Sequence, residues 1–161
     1  MLSLKRLVEG EVDHIDFDIT VDASDVSDDV VSGSARAKGR VEDHSGFITL
    51  EGVVEPALEV NCARCGNGFV YKTPVALKAK ITDKVANDDE DEFLMMVDTS
   101  VDLEEFVFST LVLELPTRFL CREDCRGICP KCGADLNTAP CSCDLTERDS
   151  RWDALKGFFD E

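Results

Sequence analysis

The sequence predicts an α+β fold: an antiparallel β-sheet or partly closed barrel with packed helices, followed by a cysteine-rich C-terminal segment. Three observations carry this prediction. Apolar and polar residues alternate over two stretches between positions 15 and 54, one amphipathic stretch with helix start and stop signals begins near position 102, and eight cysteines fall in short pairs. A chain of 161 residues buries roughly two thirds of its unfolded surface, enough for one compact core. The expected division is an α+β core over 1–118, with a cysteine hairpin at 62–66, and a cysteine-rich segment with a closing helix over 119–161.

Ile15, Phe17, Ile19 and Val21 alternate with acidic or polar residues, the period of a half-buried strand. Asp22 to Asp29, with Ser24 and Ser27, reads as an acidic loop. Val30 to Val41 keeps a looser alternation. A turn at Asp43-His44-Ser45-Gly46 then leads into a second strong strand over Gly46 to Val54, so the two are expected to be antiparallel neighbours. After Pro56, Ala57-Leu58-Glu59-Val60 enters the first cysteine pair and Phe69-Val70-Tyr71 leaves it, which makes that pair the tip of a hairpin continuing to Val75-Ala76-Leu77 and Ile81. Ala86 to Glu92 reads as an acidic surface loop and Phe93 to Val97 as a short strand. Asp102, followed three residues later by Glu105, is the N-cap signature of a helix that places Leu103, Phe106, Val107, Thr110 and Leu111 on one face. Pro116 ends it. Asp149 or Ser150 caps a final helix, Arg151 to Phe159, with an apolar stripe of Trp152, Leu155, Phe158 and Phe159.

Cys62-Ala63-Arg64-Cys65-Gly66 and Cys129-Pro130-Lys131-Cys132-Gly133 are both C-x-x-C-G, a tight turn in which two sulfurs converge and the glycine takes φ > 0. Each is half of a tetrahedral metal site. Cys121 with Cys125, and Cys141 with Cys143, supply four more thiolates, so the count completes two four-thiolate sites without a histidine. Zinc suits such a shell, as one or two closed structural ions. A disulfide between adjacent C-x-x-C residues closes too small a loop to constrain much, and Met1-Leu2-Ser3-Leu4-Lys5-Arg6 lacks the apolar core of a signal peptide. Redox chemistry wants a C-x-x-C opening a helix in a βαβ unit. A catalytic zinc site usually includes histidine or carboxylate, and His14 and His44 are remote in sequence from the cysteines. Grouping by proximity gives Cys129, Cys132, Cys141 and Cys143 to one ion and Cys62, Cys65, Cys121 and Cys125 to the other; the rival grouping pairs the two C-x-x-C-G turns. The first is preferred because one of its sites closes locally. From Cys121 onward little else can be buried, so this is the segment that needs metal.

Lys and Arg total 17 against 34 Asp and Glu, a net charge of −17. A nucleic-acid binder is expected to carry a basic face, so broad RNA or DNA contact is disfavoured. Local exceptions are Lys72, Lys78, Lys80 and Lys84, or Arg118, Arg122, Arg126 and Lys131. A basic protein is the better partner. The longest apolar run, Phe106 to Leu115, contains Glu114 and falls short of the ~18 residues of a membrane helix, so a cytoplasmic protein without membrane partners is expected.

The knuckle Cys62-Ala63-Arg64-Cys65-Gly66, the helix ending in Leu115-Pro116, and the tail from Cys121 through Gly127-Ile128-Cys129-Pro130-Lys131-Cys132-Gly133-Ala134-Asp135-Leu136-Asn137 to Cys141-Ser142-Cys143 together resemble the bacterial YceD family. That resemblance implies a role in accumulation of large-subunit ribosomal RNA, in the genetic neighbourhood of a large-subunit ribosomal protein, and hence in ribosome assembly. It transfers no catalytic residue, only the cysteines and Arg64 as motif positions. The expected function is therefore a non-enzymatic assembly factor that binds a basic ribosomal protein or a precursor of the large subunit. The alternative is direct zinc-knuckle contact with precursor ribosomal RNA through Arg64 and the basic residues near Cys121. An enzyme is the weakest reading: no Ser/His/Asp, H-E-x-x-H, Walker or Rossmann pattern is present, and Asp88 and Asp89 as a magnesium pair have no supporting context.

Overall fold

The structure is a computed structural model that describes residues 1–83 and 93–144. The acidic loop expected over 86–92, with Lys84 before it, and the closing helix expected over 151–159 lie outside the described residues. In chain order the elements are β1 (Leu2–Ser3), α1 (Lys5–Val8), β2 (His14–Asp22), β3 (Val30–His44), β4 (Phe47–Asn61), β5 (Gly68–Tyr71), β6 (Val75–Thr82), β7 (Phe93–Met95), β8 (Ser100–Val101) and α2 (Leu103–Glu114).

β3 and β4 form the spine of the sheet. They are joined by a two-residue turn in which Ser45 and Gly46 both take positive φ, 58° and 94°, and the Asp43 carboxylate accepts a hydrogen bond from the Gly46 N–H at 2.7 Å. Positive φ at both central residues matches the right-handed strand twist, which is why so tight a turn joins two fifteen-residue strands. The main sheet runs β2-β3-β4-β6-β7, with β5 pairing with β4 beyond the end of β6. Pairs β2–β3, β3–β4, β4–β5 and β4–β6 are antiparallel, whereas β6–β7 is parallel. The expected antiparallel sheet holds for every pair but β6–β7, whose parallel direction the sequence did not signal, because alternation reports which face a side chain occupies and not the direction of its strand. The expectation of a partly closed barrel is corrected: β2 and β7 are the opposite ends of the sheet, and closure requires the end strands to meet. β7 offers only three residues to such a seam and β2 nine.

One face of the sheet is core. Phe17 and Val21 of β2, Ala35, Ala37 and Val41 of β3, Leu50, Val54, Leu58 and Val60 of β4, and Val75, Leu77, Ala79 and Ile81 of β6 are all buried and belong to one cluster. Leu4 and Leu7 from α1, and Leu103, Val107 and Leu111 from α2, join the same cluster. Each fully buried leucine contributes roughly 1.5–3 kcal/mol of transfer free energy. The other face carries charge pairs across strands, among them Arg40 to Asp16, Arg36 to Asp18 and Lys38 to Glu55. These pairs are exposed and screened by water, so they add little to stability; their larger effect is to fix register.

α2 starts where its cap predicts. The Asp102 side chain accepts from the backbone N–H groups of Glu104 and Glu105, both at 3.1 Å. Leu115, forced off helical geometry by Pro116, lies at ψ 141° and ends the helix. The Thr110 hydroxyl, buried on the inner face, donates to the Phe106 carbonyl at 2.8 Å and so carries no unmet polar cost. β1, α1 and β8 had no sequence signal: two-residue strands and a one-turn helix are too short for a period to register. Among the described residues no helix is long and apolar enough to cross a membrane.

Candidate metal centre

β4 runs past β6 to Asn61 and its end pairs with β5, Asn61 opposite Gly68 and Val60 opposite Phe69. The first cysteine turn is therefore a hairpin tip. Cys62 N–H bonds the Asn67 carbonyl at 2.9 Å and Gly66 N–H bonds the Cys62 carbonyl at 2.8 Å. The second turn repeats the pattern: Cys129 N–H to the Ala134 carbonyl and Gly133 N–H to the Cys129 carbonyl, both 2.8 Å. Gly66 and Gly133 each lie at φ +73°, where a side chain is disfavoured, which is the chemical reason for the glycine in both C-x-x-C-G motifs.

The chain returns to the first knuckle after α2. Phe119 is 1 % exposed and its ring meets that of Tyr71 edge-on, with centroids 5.2 Å apart. Its carbonyl accepts from the Ala63 N–H at 2.9 Å. Two residues later Cys121, and then Cys125, reach Cys62 and Cys65. Arg64 locks the junction, its Nη1 donating to the carbonyls of Cys125 at 2.9 Å and Glu123 at 3.1 Å.

The eight sulfurs gather into two groups of four, Cys62, Cys65, Cys121 and Cys125 in one, and Cys129, Cys132, Cys141 and Cys143 in the other; within each group all sulfurs lie within 4.8 Å of one another. This is the proximity grouping; the two knuckles do not share a site. All eight cysteines are free thiols. Cys62 and Cys125 sulfurs are 3.8 Å apart, as are those of Cys65 and Cys121. A disulfide would need ~2.05 Å. Four sulfurs placed ~2.3 Å from a central zinc, by contrast, stand ~3.8 Å apart along each edge of the tetrahedron. Each group can hold a metal ion, and the spacing is consistent with zinc.

The protonation chemistry points the same way. Burial opposes ionisation of Cys62, but backbone N–H groups of Cys121, Cys65 and Arg64 aimed at its sulfur outweigh it and bring its pKa down to about 6. Across the same group, burial and the neighbouring sulfurs of Cys62, Cys125 and Cys65 push Cys121 up to about 12. The second group is built alike. The backbone N–H groups of Cys132 and Lys131 lower Cys129 to about 6, while the Cys132 sulfur beside it, followed by loss of water, pushes Cys143 up to about 12. Four sulfurs this close cannot all ionise unless a cation balances them. His14 and His44 lie on β2 and β3 next to Asp16 and Glu42, and neither belongs to a cysteine group.

Asn137, which closes the G-x-x-L-N run, has a role visible only in the fold. Its side-chain amide donates to Cys125 Sγ at 3.5 Å and accepts from the Arg126 N–H and from Arg122, both at 2.8 Å. An asparagine closing the G-x-x-L-N run directly after a knuckle is the signal that could have flagged it. Phe119, between a proline-ended helix and the first tail cysteine, was legible only as an apolar residue.

Residues 50–159 match a family model described as "Large ribosomal RNA subunit accumulation protein YceD". An uncharacterized protein of Mycobacterium tuberculosis is 36% identical over 107 residues, covering 63% of this chain and 51% of the relative. One from Mycobacterium leprae is 32% identical over 105 residues, covering 63% and 48%. A protein of Arabidopsis thaliana named "Large ribosomal RNA subunit accumulation protein YCED homolog 1, chloroplastic" is 33% identical over 55 residues, 34% of this chain and 17% of the relative. The aligned region spans about half the length of the mycobacterial relatives. No solved structure matches.

Proposed function

The chain belongs to the YceD family, and on that premise we propose that it is a cytoplasmic, non-enzymatic ribosome-assembly factor. In this reading it supports accumulation or maturation of large-subunit ribosomal RNA by binding a basic ribosomal protein, free or on a precursor particle. Both cysteine groups hold structural zinc ions that give the tail its shape, with Cys62, Cys65, Cys121 and Cys125 around one and Cys129, Cys132, Cys141 and Cys143 around the other.

The observation that carries the reading is how seven of the thirteen described cations are engaged. Arg36, Lys38 and Arg40 are matched to Asp18, Glu55 and Asp16 across the open face of the sheet, and Lys5 and Arg6 to Glu9 and Glu11 beside α1. Arg122 pairs with Asp124, and Arg64 turns its Nη1 onto backbone carbonyls. With a net charge of −17, the surplus that a partner meets is carboxylate. Eight thiolates outweigh two dications, so loading both sites makes the charge more negative still. Such a surface attracts a cationic protein and repels phosphate.

The test is binding of the purified, zinc-loaded protein to isolated basic proteins of the large subunit and, separately, to free ribosomal RNA. Protein binding that weakens with salt is expected. A gel shift of free ribosomal RNA that persists at roughly 0.2 M salt, and that is abolished by Arg64→Glu with Arg126→Glu in protein still carrying its full zinc, would replace this reading with direct RNA contact.

A further inference from the structure

We propose that the two thiol groups form one energetically coupled metal centre, and that Asn137 is the positioning residue that couples them. The inference rests on the reading above that both groups bind zinc.

Asn137 lies on the eight-residue stretch between Cys132 and Cys141, so by sequence it belongs to the second group. Its amide is turned the other way. Nδ2 donates to the sulfur of Cys125, a member of the first group, at 3.5 Å, and to Asp135 Oδ1 at 2.7 Å. Oδ1 accepts from the Arg126 backbone N–H and from Arg122 Nη2, both at 2.8 Å. All four hydrogen-bonding positions of the amide are filled, and its orientation is fixed because the two arginine groups can only donate. Asp135 holds Asn137 from behind, accepting from its backbone N–H at 2.9 Å, and accepts from the Asn67 side chain just past the first knuckle at 3.4 Å. Leu136 N–H to the Gly127 carbonyl at 3.0 Å and Ile128 N–H to the Arg64 carbonyl at 3.2 Å complete the seam between the two groups.

The consequence follows from what an N–H does to a metal-bound sulfur. Donated to a thiolate it stabilises the charged, ligating form, and groups of this kind around a metal typically change affinity by ~10–100-fold. Here that donor is in place only when the stretch between Cys132 and Cys141 is ordered, which an ion at the second group ensures. Conversely, an ion at the first group fixes Cys125 and Arg126, the partners that hold Asn137. Each ion therefore tightens the other, and by the same factor.

The experiment uses the full-length protein, zinc in competition with a calibrated chelator, and ¹¹³Cd substitution read by NMR. Wild type should load two ions that leave together over one range of chelator. Asn137→Asp keeps the oxygen that accepts from Arg126 and Arg122 but sets a carboxylate oxygen where the donor was. Although no ligand is touched, it should weaken the ion at Cys62, Cys65, Cys121 and Cys125 by about 10–100-fold and move that site's ¹¹³Cd resonance. Asn137→Leu should do likewise. Cys141→Ser with Cys143→Ser should weaken the same remote ion, and adding Asn137→Leu should then cost nothing further, the non-additive outcome of a shared pathway. The coupling is overturned if Asn137→Asp leaves the first site within twofold of wild type with its resonance unmoved, or if removing the second site leaves the first unchanged. Two ions bound independently overturn the coupling alone; a wild-type protein that takes up no metal overturns the zinc reading and the coupling with it.

Discussion

Replacing Cys121 and Cys125 by serine tests the idea that one ion ties the tail to the middle of the chain. The sulfurs of Cys65 and Cys121 meet across 56 residues of sequence. A cross-link of that span removes conformational freedom from the unfolded chain worth about 4 kcal/mol near 25 °C by the chain-entropy relation. The second group closes only the eight residues between Cys132 and Cys141, for which the same relation gives about 2.5 kcal/mol, and none of that freedom belongs to the sheet. The assay is guanidinium unfolding followed by far-ultraviolet circular dichroism, once in zinc buffer and once in excess chelator. In zinc the double serine variant should lose about 4 kcal/mol relative to wild type. In chelator the two proteins should unfold almost together, because the cross-link is then absent from both. A loss in zinc below about 1 kcal/mol would refute the reasoning, since the long-range ion would not be constraining the chain; so would an equal loss in chelator, which would locate the effect in the packing of the thiols.

Phe119→Ala should cost roughly 3–5 kcal/mol in the same unfolding assay, through the cavity left beside Tyr71, and should also weaken metal at the first group because Phe119 sets the path into Cys121. Gly127 lies at φ +75°, and a Cβ there would stand 2.8 Å from the Arg64 carbonyl oxygen; Gly127→Ala should therefore lower stability by about 1–2 kcal/mol, with chelator-resistant zinc as the second readout. Arg64→Met should weaken zinc at the first group by removing the donors to the Glu123 and Cys125 carbonyls, while leaving any association with ribosomal RNA unchanged; a lost gel shift with intact metal would show the opposite. Metal affinity should fall as pH falls. Thiols raised to about 12, such as Cys121 and Cys143, hold protons that the metal must displace, and those lowered to about 6, Cys62 and Cys129, recover theirs as pH drops through 6. Chelator competition between pH 5 and 8, with proton release measured on loading, checks the sign.

The long elements were legible in the sequence. Ile15, Phe17, Ile19 and Val21, and Val75, Leu77, Ala79 and Ile81, alternate because one face of a strand is buried, and Asp102 and Pro116 bracket α2 because each acts on the backbone within a turn. The knuckles were legible for the same reason: C-x-x-C-G encodes its own turn, its hydrogen bonds and its positive-φ glycine. Strand direction and sheet closure were not, since a period of two is the same in parallel and antiparallel neighbours and is silent about which edges meet. Nor was the role of Asn137, whose partners Cys125, Arg122 and Arg126 lie eleven to fifteen residues away.

By itself, then, the chain determined what short-range chemistry can write: strands, one capped helix, two thiol turns, an acidic surface and the family. Tertiary structure alone decided that β6 and β7 run parallel, that the sheet stays open, and that Arg64 faces a carbonyl pair. It also decided which sulfurs meet across 56 residues. Those outcomes depend on distances between segments that no local pattern records, because they are set only when the whole core closes on Phe119 and brings the tail against the first knuckle.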